Sequence, residues 1–181
     1  MGKEATKPLD PTPTVSRINE LTIGETQDLC DATNAAIEAG GGFGWVNKQE
    51  RDVLERYWHG VIAMPSRILL AAKLDGVICG TAQLIKPVPN NEAQAHIVHL
   101  STHFIAPWAR GHGLAEKLIK LAEHTARKEG YTVINLDVRE TLLDAINLYE
   151  KQNFQRTGTH PAYAVVGGET YKGYHYCKVL D

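Results

Sequence analysis

The chain has 181 residues, 43% hydrophobic and 22% charged, a balance that suits one folded domain with a sizeable core and excludes the disordered and collagen-like classes. Nineteen Lys and Arg stand against 21 Asp and Glu for a net charge of −2, so no general electrostatic pull toward nucleic acid or an anionic membrane arises. Cys30, Cys79 and Cys177 are widely spaced and form neither a disulfide framework nor a metal-ligand pair, and no apolar run approaches the roughly 20 residues of a membrane span; a cytoplasmic protein is expected.

Residues 1–14 are polar and proline-rich and read as a flexible N-terminal tail, leaving 15–181 as a single domain. Val15 to Leu21 reads as a strand and Glu25 to Ala39 as a helix ending at Gly40, Gly41 and Gly42. After the Phe43-Gly44-Trp45 loop, Asn47 is placed to cap a second helix that runs to Met64. Arg67 to Leu74 and Val77 to Ile85 form a hairpin through Asp75-Gly76, a pair that suits a type I′ turn. A strand over Ala95 to Ile105, a helix closing at Gly130 and a strand over Tyr131 to Val138 make a βαβ unit, whose helix N-terminus lies at the carboxyl end of its first strand. Thr141 and Asp144 predict a capping box for a helix to Gln152, and Phe154 to Leu180 reads as two strands around Gly167-Gly168. The sum is a mixed α/β (α+β) domain with one sheet.

Chemistry concentrates where the βαβ unit turns. Pro107-Trp108-Ala109-Arg110-Gly111-His112-Gly113-Leu114-Ala115 puts an Arg and two glycines at a helix start, where unpaired amides and the positive dipole end suit a pyrophosphate. The same residues also fit a plain tight turn. His99, Ser101 and His103 are expected on one face of the preceding strand, with His96 on the other; His99 is the candidate base, Ser101 a substrate contact, and three metal ligands do not converge, so no metal is expected. Phe43 and Trp45, flanked by glycines, suit a loop over a small substrate or equally a hydrophobic cover. Tyr149 falls on an apolar helix face with Leu142, Ala145 and Ile146, where a core role and a groove role are both open.

The Arg110, Gly113 and Ala115 spacing, followed by Ala145, Leu148, Tyr149, Asn153 and Phe154, resembles the GNAT superfamily of acetyl-CoA-dependent N-acetyltransferases, and the Gly-Gly-Phe-Gly-Trp loop with the ending from Gly158 through Tyr163 to Tyr176 is similar to the tabtoxin-resistance type. Leu142 stands where that family often has Asn, and Glu116 where a basic residue is frequent. The resemblance implies a single mixed, mostly antiparallel sheet of seven strands flanked by four helices, matching the element order read above. It implies acetyl-CoA as cosubstrate, held by Phe104, Ile105, Arg110, Gly111, His112, Gly113, Leu114, Ala115 and Tyr149, with direct transfer to the amine of a small amino-acid-like acceptor. Tyr149 takes the general-acid position and His99 a strand position from which relatives draw a base. A peptide or protein amine and a non-catalytic acyl-CoA-binding module are the alternatives, and a homodimer is an expectation by analogy.

Overall fold

The computed structural model describes residues 10–41 and 44–181. Among them, seven strands and four α-helices follow in the order β1 (Pro13–Ile18), α1 (Ile23–Glu38), α2 (Arg51–Ala63), β2 (Arg67–Leu74), β3 (Val77–Ile85), β4 (Ile97–Ile105), α3 (Leu114–Lys128), β5 (Val133–Arg139), α4 (Leu143–Lys151), β6 (Gln155–Val166) and β7 (Glu169–Val179). The strands form one sheet in the order β1-β2-β3-β4-β5-β7-β6. Every neighbouring pair is antiparallel except β4 with β5, as the α3 crossover requires.

Alternation along the strands divides the core into two. Ile68, Leu70, Leu84, Val98, Leu100, Ile134 and Leu136 face α3 and α4, while Leu69, Ala71, Ile78 and Phe104 face α1 and α2. The α1 and α2 core closes around Trp58, which is wholly buried and satisfies its indole by donating to Thr33 Oγ1 at 3.1 Å. Since α1 and α2 pack on β2, β3 and β4, the same face where β4 meets β5 carries His99, Asn135 and Asp137, polar groups at or beside a groove.

Several local readings shift. The first strand begins at Pro13, inside the expected tail, and Thr12 and Asp75 exchange hydrogen bonds at 2.8 and 3.1 Å. Helix α1 starts earlier because Thr22 and Glu25 form a reciprocal capping box. Asn47 does not cap α2: Glu50 occupies that position without a side-chain bond. Nor does Thr141 cap α4, since its hydroxyl accepts from Arg139 Nε at 2.8 Å and Leu142 stands at the N-cap. The Asp75-Gly76 turn forms as read, with φ of 51° and 86°.

Candidate active site

The site begins with a break in the sheet. β4 and β5 pair only at Ile97 with Val133, Val98 with Ile134 and His99 with Asn135. Beyond these pairs the two strands part. On β4 the departure is local: the register with β3 gains one residue between Ser101 and Phe104, and Thr102 adopts φ 49°, the signature of a β-bulge. Thr81 pins the bulge by donating from Oγ1 to the Thr102 carbonyl at 2.9 Å. Gly80 lets the strands approach, because a Cβ there would collide with the Phe104 carbonyl oxygen.

A groove of about 1450 Å³ runs along this parting. At one end lie Arg110, Gly111, Gly113, Leu114 and Ala115. Gly111 and Gly113 hold φ of 84° and 70° with open space where a Cβ would stand, and the first turn of α3 precedes its first helical donor, Lys117 to Gly113 at 3.1 Å. The amides of that turn therefore remain available to an anion. His112 does not join them in lining the groove; its Nδ1 sits 3.2 Å from the Ala109 carbonyl.

Ala106 donates to Cys79 at 2.7 Å, so strand alternation turns the Ile105 amide toward the open edge and the Phe104 amide toward β3. Of the two backbone positions expected to hold the coenzyme arm, only Ile105 presents its amide to the gap. Arg110 Nε donates to the Ile105 carbonyl at 3.4 Å, tying the cradle to that strand end.

The bulge also corrects the sequence reading of β4. His99 and Ser101 stay together on the groove face, but the extra residue turns His103 to the α3 and α4 side. There it lies between Tyr149 Oη, 3.0 Å from Nδ1, and the Ala115 carbonyl, 3.1 Å from Nε2. A carbonyl only accepts, so Nε2 carries the proton and Nδ1 of the neutral ring accepts from Tyr149. Burial keeps the ring neutral by drawing its pKa down to about 4. Tyr149 lines the groove with only 6% of its surface exposed, and burial raises its hydroxyl well above the usual phenol range.

His99 Nε2 lies 3.1 Å from Asp137 Oδ1, where the β4 and β5 ladder ends. Asp137 stands opposite His175 on β7 and also accepts from the Tyr163 hydroxyl. The hydrogen bond from His99 leads the causes that hold its carboxyl below the usual range. Tyr163 reaches it because β6 is irregular between His160 and Ala164 and because Gly173 leaves room: a Cβ there would collide with Tyr163 at Cγ, Cδ2 and Cβ. Neither the pairing of Asp137 with His99 nor the place of Tyr163 beside it was read in the sequence, and His103 was expected with His99 and Ser101; strand register and the bulge set all three.

Trp45 lines the groove and meets Tyr57 edge-on, ring centroids 4.8 Å apart. Phe43 lies outside the described residues. Among the described residues, no group of three His, Cys, Asp or Glu side chains could hold a metal ion, and no helix is long and apolar enough to cross a membrane.

An open helix N-terminus, a parted parallel strand pair and a buried tyrosine thus meet along one groove. The family model for Acetyltransferase (GNAT) family matches residues 32–154. The chain is 58% identical over 128 residues, 71% of its own length and 76% of the relative's, to an uncharacterised N-acetyltransferase from the hisH-hisA intergenic region of Azospirillum brasilense. It is 30% identical over 95 residues to aminoglycoside N(6′)-acetyltransferase type 1 of Klebsiella aerogenes, covering 52% of this chain and 62% of that enzyme. The fold matches yncA of Salmonella typhimurium, solved with its cofactor acetyl-CoA, at a TM-score of 0.75 and 18% identity over 93% of this chain and 94% of that one. The chain belongs to the GNAT family and is an N-acetyltransferase that uses acetyl-CoA.

Proposed function

We propose that the enzyme passes the acetyl group directly to the primary amine of a small, amino-acid-like acceptor, in the manner of the tabtoxin-resistance type, with His99 as base and Tyr149 as acid. The observation that carries this reading is the His99–Asp137 pair at the root of the parted strands, beside the groove walled by Trp45 and Tyr57. Acetyl-CoA supplies an activated thioester. The residues present fit it: the glycine cradle and α3 amides suit its phosphates, and the outward Ile105 amide suits its amide-bearing arm. Phe104, Gly111, Leu114 and Ala115 shape the same end of the groove, while Ser101 flanks the acceptor side.

An amine attacks only when neutral, so it must lose a proton on binding. Asp137 holds His99 by Nε2 and stabilises the imidazolium that forms when His99 takes that proton. Tyr149 serves the departing sulfur. In the free enzyme its hydroxyl donates to His103 Nδ1, and rotation about the phenolic C–O bond redirects that proton into the groove. His103 therefore positions the hydroxyl, and its neutrality keeps the phenol protonated.

Tyr149→Phe is expected to lower kcat about 100-fold, within the range of general acid–base catalysis, and to leave the Kd for acetyl-CoA within about twofold. His99→Gln should lower kcat/KM by a similar factor, with the Kd for acetyl-CoA again within about twofold. Unchanged turnover in either variant, with acetyl-CoA bound normally, overturns the role assigned to that residue.

A further inference from the structure

We infer that the acceptor carries a carboxylate or a comparable anion beside its amine, and that Arg67 selects it; this deepens the acetyl-transfer reading above and rests on it. Arg67 opens β2 opposite Ile85, which stands opposite His99, which in turn pairs with Asn135. One row thus crosses four strands on the face that α3 does not cover, and Arg67, Ile85 and His99 all line the groove.

The guanidinium has been given a neutral partner. Its Nη1 donates to Gln83 Oε1 at 2.7 Å, and among the described residues it makes no ion pair. Gln83 is wholly buried, and its orientation is fixed because its Nε2 donates to the Tyr57 hydroxyl at 3.1 Å. Its oxygen must then face Arg67. A carboxylate at position 83 would have neutralised the arginine; an amide orients it and leaves its charge for a ligand. Tyr57 in turn braces Trp45, so the anion site and the aromatic wall share one support.

The other groove arginines are placed differently. Arg110 belongs to the phosphate end, and Arg139 is tied to Thr141 Oγ1 at 2.8 Å and the Gly40 carbonyl at 3.0 Å. Backbones two strands apart lie about 10 Å from one another, and an extended arginine shortens that gap toward the length of a small amino acid. An anion at Arg67 would then leave the amine toward His99 and Asp137.

The test measures thiol release from acetyl-CoA with each of the common L-amino acids, its methyl ester and its decarboxylated amine, using wild type, Arg67→Lys and Arg67→Met. Wild type is expected to accept at least one amino acid with kcat/KM tenfold or more above that of its ester. Arg67→Met should collapse the acid-to-ester ratio to near one, chiefly through KM, and Arg67→Lys should fall between. Equal use of acid and ester by wild type, a ratio unmoved by Arg67→Met, activity confined to amines without an anion, or no acetylation by protein that binds acetyl-CoA each overturns the inference. Failure to bind acetyl-CoA in a direct titration would instead remove the transfer reading first, and the Arg67 assignment with it.

Discussion

At the scale of single residues, the candidate site depends on side chains that have no room to be elsewhere. Asp137 accepts from Tyr163 and pairs with His99, so its carboxylate is held by groups from β4 and β6. Gly173 decides whether Tyr163 can take its place. Gly173→Ala is therefore expected to push the Tyr163 ring off Asp137 and lower kcat about tenfold, with the Kd for acetyl-CoA little changed; turnover and a titration on the same preparation check both halves. That His99 and Tyr149 lie beside the groove was legible in the sequence, the first from strand alternation and the second from the motif it shares with the family. Asp137 was not, because nothing in one strand's pattern says which residue of a distant strand it meets. His103 was placed on the wrong face because a single inserted residue reverses alternation without leaving a mark in hydrophobicity.

At the scale of elements, the bulged end of β4 is the part under strictest steric control. Gly80→Ala would bring a methyl against the Phe104 carbonyl and the Ile105 Cδ1. Because the first of these is backbone, the strands must move apart, at a cost of about 1–3 kcal/mol. The expected result is a lower urea midpoint together with weaker acetyl-CoA binding, since the outward Ile105 amide moves with the strand; a lost midpoint with intact affinity would show that the bulge serves stability alone. The hairpin at Asp75-Gly76 and the amphipathic α3 were readable because local chemistry settles them. The starts of α2 and α4 were not: α2 begins only at Arg51, with Glu50 rather than Asn47 at its N-cap, and the Thr141 hydroxyl is taken by Arg139 at 2.8 Å.

At the scale of the whole molecule, the neutral His103 couples stability to pH. Its folded pKa, about 4, lies below its unfolded value of about 6.5. Both states are neutral above that upper value; as pH falls, the unfolded chain takes up the proton first, and stability drops down to the folded pKa. Between pH 7 and pH 5 the loss from this group is about 2 kcal/mol. Urea unfolding at the two pH values should show it, and His103→Asn should flatten the difference even though that variant begins less stable. The order of strands and helices was accessible from sequence because it follows from periodicity and crossover rules, whereas the separation of one face into a covered half and a polar half needed the packing of α1 and α2.

The parting of β4 from β5 has one more effect. It turns two interior strands into strand edges, the kind of surface that elsewhere invites foreign chains to pair and aggregate. Here those edges face each other inside the fold. α3 and α4 roof one side, and the pairs ending at His99 with Asn135 shut one end, so an intruding β-strand finds no way to lie along them. A thin ligand that carries amide groups of its own does. The enzyme thus keeps unpaired backbone ready for a guest while denying it to its neighbours in solution.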